Sequence, residues 1–177
     1  ALTGLPGRGH DELISRPELA KSVVLHPGNH SSANGWSVDR FEELSERLMA
    51  GGKRVVVTGT ESERPALQPW LERAKHQPLF EDAVGAWSLS ELSSVLGQVK
   101  CVVASSTGPL HLASALGTPT VGLYRADAPF WPERWGPLGP GKVLSTSRLG
   151  DQGGLDFSVD EVLDAVQAVG LEGASEL

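Results

Sequence analysis

Short, continuous apolar runs alternate along the chain with stretches in which apolar residues recur every three to four positions. Such runs are typical of strands buried on both faces of a sheet, and the three-to-four spacing is typical of amphipathic helices. The predicted strands are residues 22–26, 54–58, 79–80, 101–104, 119–124 and 142–145. The predicted helices are residues 38–48, 62–76, 89–96, 109–116 and 159–169. This alternation predicts an α/β fold, a Rossmann-like doubly wound parallel sheet with helices on both faces.

Polar residues at the predicted helix starts support these boundaries. Ser88 with Glu91, and Ser158 with Glu161, have the spacing of capping boxes, in which each side chain bonds the backbone N–H of the other residue. Ser37 is a predicted N-cap for the first helix. Pro69 falls inside the second helical stretch, and we expect it to kink or restart that helix.

Composition and charge narrow the class of protein. The 177 residues, 40% of them hydrophobic and 21% charged, suit one globular domain. A net charge of −7 argues against a nucleic-acid partner, which would need a basic surface. Cys101 is the single cysteine, so we expect a buried thiol and no internal disulfide. No apolar run is long enough to span a membrane.

The apolar run that ends near Ala104 is followed by hydroxyl groups and by a Gly-Pro step that starts a helix. Such a junction favours an anion, because the first N–H groups of the helix and its dipole point beyond the end of the strand. Thr107, Gly108 and Pro109 open this helix, and we expect a phosphate there. His111 lies one turn further on; it either donates to the phosphate or is a packed or capping residue.

Three more loops follow predicted strands and meet at the same edge of the sheet. Residues 27–36 carry Pro27, Gly28, Ser31 and Ser32, which suit a phosphate, although an ordinary turn anchored by a tryptophan fits equally well. Glu63 follows the second strand; it either accepts ribose hydroxyls or is a solvated first-turn carboxylate. The aromatic loop 130–135 either stacks on a base or sugar, or is a proline-stiffened flap or a docking face for a missing domain. No histidine pair has metal-ligand spacing, so no metal is expected.

Five segments, in order, resemble glycosyltransferase family nine, which contains the ADP-heptose:lipopolysaccharide heptosyltransferases. They are His26-Pro27-Gly28 with Trp36 and Phe41; Thr58-Gly59 with Glu63-Arg64; residues 86–92; the run 106–113, Ser-Thr-Gly-Pro-Leu-His-Leu-Ala; and residues 117–124 continued by 135–139. The resemblance covers about residues 23–146.

The resemblance implies one lobe of a two-lobed GT-B glycosyltransferase, the lobe that binds a nucleotide-diphospho-sugar donor, with no cofactor. Residues 22–177 would form this lobe and residues 1–21 the linker between lobes. A missing N-terminal lobe would supply the catalytic base and bind a glycolipid acceptor. The full protein would then be cytoplasmic, at the inner face of the membrane as a peripheral protein, and this fragment alone inactive. The expected donor-binding residues are Pro27, Gly28, Ser31, Ser32, Asn34, Thr58, Glu63, Ser106, Thr107, Gly108, Pro109, His111 and Arg125.

Two departures from the family pattern keep other functions open. Ser106 stands where the family has an acid, and Asn34 where it has a lysine that resembles a pyrophosphate contact. A lost cation removes charge-assisted hydrogen bonds worth about 1.5–3 kcal/mol each. Arg125, where relatives have glycine, is our candidate for restoring part of that charge. The alternatives are a non-catalytic nucleotide- or partner-binding module and a GT-B-like sugar-nucleotide epimerase.

Overall fold

A computed structural model describes residues 16–28, 35–105, 107–127, 132, 136–150 and 153–172. In the order of the chain, the strands are β1 (Ser22–His26), β2 (Arg54–Gly59), β3 (Phe80–Val84), β4 (Cys101–Ser105), β5 (Thr120–Arg125) and β6 (Gly141–Thr146). The helices of the described residues are α1 (Val38–Ala50), α2 (Arg64–Ala74), α3 (Leu89–Leu96), α4 (Gly108–Ala115) and α5 (Val159–Glu172). Short 3-10 turns lie at Pro17–Lys21 and Glu61–Glu63.

All six strands form one parallel sheet in the order β3-β2-β1-β4-β5-β6. This is a doubly wound order. Strands are added on one side of β1 up to β3 and on the other side from β4 onward, so the strand order reverses between β1 and β4. Successive residues of a strand face opposite sides of the sheet, and the core divides accordingly. Val23 and Leu25 of β1 pack with α1, α2 and α5, whereas Val24 packs with α3 and α4. The predicted fold class is confirmed.

Two helix predictions need correction. Pro69 lies inside α2, which continues through it as one helix, so the predicted restart is wrong. Proline removes one helical hydrogen bond, and the burial of Leu67, Trp70 and Leu71 on the same helix offsets that loss. Ser37 occupies the N-cap position of α1, but its side chain makes no capping hydrogen bond. Both predicted capping boxes have the expected hydrogen bonds.

The described end of the N-terminal segment packs on the sheet. Leu19, in the first 3-10 turn, is completely buried. Arg16 donates to the two carboxylate oxygens of Glu81 at 2.5 and 2.9 Å, and Arg54 donates to Glu81 at 2.8 Å. Hydrogen bonds from Arg16, and secondarily from Arg54, lower the pKa of Glu81. One carboxylate on β3 therefore ties residue 16 to the start of β2.

Candidate functional site

A cleft of about 680 Å³ opens at the carboxyl edge of the sheet, above β1, β2 and β3 and beside the start of α4. Its size is typical of small-molecule sites, and in an open parallel sheet ligands bind at this edge, next to the point where the strand order reverses. The residues that line it are His26, Gly28, Thr58, Gly59, Thr60, Glu61, Glu63, Ala83, Gly85, Trp87, Leu89, Leu92, Thr107, Gly108 and Pro109.

Glu63 is fixed in position at the floor of the cleft. Its Oε2 accepts hydrogen bonds from the backbone N–H of Thr60 at 2.7 Å and from the Thr60 hydroxyl at 2.8 Å. The carboxylate lies directly over Gly28, because a Cβ on that glycine would come within 2.1 Å of Oε1. A side chain at position 28 would therefore displace Glu63, and glycine is what allows the carboxylate to reach this place.

Below this carboxylate, two buried polar groups join the ends of β1 and β2. His26 Nδ1 and Thr58 Oγ1 lie 3.0 Å apart, at hydrogen-bonding distance, and both side chains are buried. The pair connects neighbouring strands at the point where both enter the cleft. Its contribution is to hold the floor rigid, since a buried hydrogen bond between polar groups fixes the position of each.

The wall beside β4 is the start of α4. Thr107 is the N-cap residue, and Gly108 and Pro109 follow it. Thr107 Oγ1 is buried and has no hydrogen-bond partner among the described residues, although a hydroxyl at an N-cap usually accepts a backbone N–H. The helix start therefore presents backbone N–H groups, the positive end of its dipole and an unused hydroxyl near the cleft.

The opposite wall is apolar and comes from the segment after β3. Ala83, Trp87, Leu89 and Leu92 line it. Leu89 is 74% exposed although it is a large apolar residue, so the wall ends in an uncovered apolar surface at the mouth of the cleft. The cleft thus has a polar side, formed by Glu63 and the start of α4, and an apolar side suited to a flat ring.

The charges of the cleft are unusual for an anion site. Its described lining contains two carboxylates, Glu61 and Glu63, and no lysine or arginine. Glu61 lies 3.4 Å from Arg64, whose other hydrogen bonds go to Asp82 at 2.8 Å and to the Val84 carbonyl. Within the part of the chain that is described, attraction for an anion therefore comes from backbone dipoles rather than from side-chain cations.

Comparison with known proteins decides the family. The model of glycosyltransferase family 9 (heptosyltransferase) matches residues 10–155. The chain belongs to glycosyltransferase family 9. The family inferred from the five sequence segments is therefore confirmed.

Relatives and solved structures agree with this membership. A protein described as a glycosyltransferase in Haemophilus influenzae is 31% identical over 67% of this chain and 34% of its own length. Lipopolysaccharide heptosyltransferase 3 of Escherichia coli is 25% identical over 62% of this chain and 33% of its own length. The structure of E. coli ADP-heptose lps heptosyltransferase II aligns with a TM-score of 0.72 and 23% identity over 89% of this chain and 48% of that one. The E. coli heptosyltransferase WaaC with ADP aligns with a TM-score of 0.65 and 21% identity over 86% and 45%. This chain thus spans about a third of those curated relatives and just under half of those structures.

The structure brings together some of the expected donor-binding residues of this family 9 chain. Gly28, Thr58, Glu63, Thr107, Gly108 and Pro109 line the cleft. Ser31, Ser32, Asn34 and Ser106 lie outside the described residues, as does most of the aromatic loop 130–135. Trp36, which follows the first loop, is buried and donates its Nε1 hydrogen to the Phe157 carbonyl at 3.0 Å, so it anchors the start of α1.

Three other expected residues are not among those that line the cleft. Pro27 is buried beneath it. His111 is half-buried in α4, and its backbone N–H bonds to the Thr107 carbonyl at 3.3 Å. Arg125 ends β5, beyond β4, and forms an ion pair with Asp127.

The expected donor-binding residues did not include Glu61 or the residues of the apolar wall, although residues 86–92 are one of the five segments that resemble the family. The third strand extends to Val84 rather than stopping at Phe80, so its carboxyl end also reaches the cleft. A strand that ends at residue 84 would have added Gly85 and Trp87 to the loops expected at this edge. The signal for Glu61 was its position in the turn after β2, two residues before Glu63.

Proposed function

We propose that this chain is the donor-binding lobe of a glycosyltransferase and that its cleft binds a nucleotide-diphospho-sugar resembling ADP-heptose. The observation that carries the proposal is the fixed Glu63 carboxylate between an apolar wall and a helix start. The groups of a nucleotide match these parts of the cleft: it has a flat base, a ribose with two hydroxyls and a chain of phosphates. Family membership supports the same assignment.

Each part of the nucleotide has a counterpart in the cleft. We infer that the base packs on the wall that contains Trp87, since aromatic side chains stack on every kind of nucleotide base. The ribose hydroxyls would donate to Glu63, as acidic residues after a second strand accept them in nucleotide-binding folds. The phosphates would approach Thr107 and Gly108, where backbone N–H groups and the helix dipole favour negative charge.

The lobe contributes to transfer by binding and by electrostatics. N–H groups at the start of α4 would stabilise the charge that develops on the departing nucleoside diphosphate. Stabilisation by backbone N–H groups does not depend on a metal ion. We infer that the general base and the site for the acceptor, a glycolipid in our proposal, belong to the part of the relatives' length that this sequence does not span. Transfer would take place at the inner face of the cytoplasmic membrane. Within the described residues, no helix combines the length and apolar character needed to cross a bilayer.

Titration calorimetry tests the proposal with ADP, adenosine and UDP. We expect ADP to bind with a Kd of about 1 mM or tighter. Glu63→Gln should weaken ADP by about tenfold or more, because a charged acceptor for hydroxyl donors is lost. The matched control is Glu46→Gln, on the exposed surface of α1. Absence of ADP and UDP binding, or equal binding by the Glu63 and Glu46 variants, would refute the proposal.

A second function, a non-catalytic binding module derived from the same fold, is favoured by one observation. The described cleft lining has two carboxylates and no cation, and the sequence has Ser106 and Asn34 at the two polar positions noted above. Full-length protein that binds ADP but transfers no sugar from any nucleotide sugar tested would establish this second function. Transfer of a sugar from the nucleotide to an acceptor would exclude it.

A further inference from the structure

A second cavity, which we call the basal cavity, lies at the opposite edge of the sheet, where the strands begin. Its volume is about 360 Å³, which at roughly 30 Å³ per water corresponds to about a dozen water-sized groups. Apolar side chains from β1, α1 and α5 form its walls, and Cys101 of β4 also lines it. The residues that line it are Val23, Arg47, Leu48, Gly51, Lys53, Lys100, Cys101, Leu163, Val166 and Gln167.

The depth of the basal cavity is apolar. Val23, Leu48 and Val166 are at most 6% exposed, and Cys101 is 1% exposed. Burial raises the pKa of the Cys101 thiol to about 12, so this group is neutral and behaves as a small apolar side chain. An occupant of this part of the cavity must therefore be hydrocarbon in character.

The charged residues that line the cavity, among those that the structure describes, are all basic. They are Arg47, Lys53 and Lys100, in a chain whose net charge is −7. Arg47 is paired with Glu43 and Asp160, whereas neither lysine forms an ion pair with a described residue. Acidic residues outnumber basic ones in this chain, yet two of the three cations at this opening have no acidic partner among the described residues.

The lysines are not needed to complete the end of α1. The last carbonyls of that helix already accept backbone hydrogen bonds, from Gly51 to Arg47 at 3.0 Å and from Lys53 to Leu48 at 2.9 Å. The ammonium groups of Lys53 and Lys100 therefore remain available for an anion at the mouth. An anionic head at the mouth would neutralise charge for which the described residues supply no acidic partner.

We propose that the basal cavity binds a single-chain amphiphile with an anionic head, of the class of medium-chain aliphatic carboxylates. The chain would fill the space between β1, α1 and α5, and the carboxylate would lie between Lys53 and Lys100. The volume admits about a dozen non-hydrogen atoms, enough for a ten-carbon carboxylate, and excludes a lipid with two acyl chains. This site lies at the other end of the sheet from the proposed nucleotide cleft, so its occupancy does not depend on that proposal.

Calorimetric titration of the 177-residue chain with decanoate tests the site. We expect saturable binding that an excess of ADP does not displace. The double variant Lys53→Glu with Lys100→Glu should weaken decanoate at least tenfold. The control pair, Lys75→Glu just after α2 with Lys142→Glu on β6, makes the same change in net charge and should bind decanoate like the unmodified chain. Thermal unfolding of each variant checks that it is folded.

Two further probes separate the head from the chain. Decanol, which lacks the charge, and inorganic phosphate, which lacks the chain, should each bind at least tenfold more weakly than decanoate. No saturable decanoate binding would overturn the proposal, and so would equal binding by the two double variants. Phosphate binding as tight as that of decanoate would show a simple anion site and overturn it as well.

Discussion

Replacing Gly28 by alanine tests whether the place of the Glu63 carboxylate matters for binding. The backbone of Gly28 does not have a positive φ, so alanine is compatible with its conformation. The new Cβ, however, would lie 2.1 Å from Glu63 Oε1 and 2.7 Å from Oε2, well inside contact distance. Glu63 must therefore move, and its hydrogen bonds to the N–H and hydroxyl of Thr60 must break or lengthen.

Gly28→Ala should have a small effect on the free energy of unfolding and a larger one on the free energy of nucleotide binding. Loss of a capping interaction costs about 1 kcal/mol, which for a chain of this size lowers Tm by about 2–4 °C. A charged hydrogen bond to a ligand is worth about 1.5–3 kcal/mol, so losing the contact from Glu63 weakens nucleotide binding by about ten- to a hundredfold. A small effect on stability together with a large effect on affinity is the expected signature.

The assay is ADP titration by calorimetry beside thermal unfolding, with Gly97→Ala as the matched control. Gly97 ends α3 with φ −71°, and a Cβ there would meet nothing closer than 3.7 Å. The control should bind ADP as the unmodified chain does. If Gly28→Ala binds ADP with an unchanged Kd, the Glu63 carboxylate does not contact the nucleotide and the assignment of the cleft is wrong.

Three other predictions follow from the charges and walls described above. Trp87→Ala should weaken ADP by about tenfold, because a stacked base is worth about 1–3 kcal/mol, and calorimetry measures it. Glu61→Gln should strengthen ADP binding by a few-fold, since it removes a like charge from the lining and exposed charge pairs are worth about 0.2–1 kcal/mol; weaker binding would contradict this. Glu81→Gln should cost about 2 kcal/mol at neutral pH, between the values for exposed and buried ion pairs, whereas Glu72→Gln, whose side chain is 53% exposed, should change the free energy of unfolding much less. The lowered pKa of Glu81 gives stability that is present above the pKa of about 4.3 in the unfolded chain and is lost as pH falls through the folded-state pKa. In urea titrations at acidic pH, the free energy of unfolding of Glu81→Gln should therefore depend less on pH than that of the unmodified chain.

The fold was predictable because both faces of most strands are covered. A strand such as Val23–Leu25 has side chains buried on each face, so its apolar run is continuous and visible in the sequence. β3 is an edge strand and breaks this rule. Its Glu81 is held by arginines and its Asp82 by Arg64, so ion pairs replace apolar contacts there. Apolar periodicity detects only the start of such a strand.

The same edge strand explains which part of the candidate site was missed. The loops after β1, β2 and β4 follow clear apolar runs, and Gly28, Glu63 and Thr107 were found from their positions after those runs. Trp87 and Leu89 follow the strand whose end is hidden by acidic residues. The contact between Glu63 and Gly28 could not be predicted from the sequence either. The two residues are 35 positions apart, and they come together only because β1 and β2 are neighbours in the sheet.

If a nucleotide occupies the cleft as proposed, the charges of the described lining indicate which of its groups would contribute most to binding. With two carboxylates and no lysine or arginine in that lining, and with Asn34 where the family pattern has lysine, the phosphates would interact with backbone dipoles at the start of α4. Pro109 removes one of the N–H groups at that start, which reduces the donors further. The base on the Trp87 wall and the ribose on Glu63 would then supply most of the affinity. Adenosine should therefore bind this chain nearly as well as ADP, whereas a cleft with a cation facing the phosphates would favour ADP strongly.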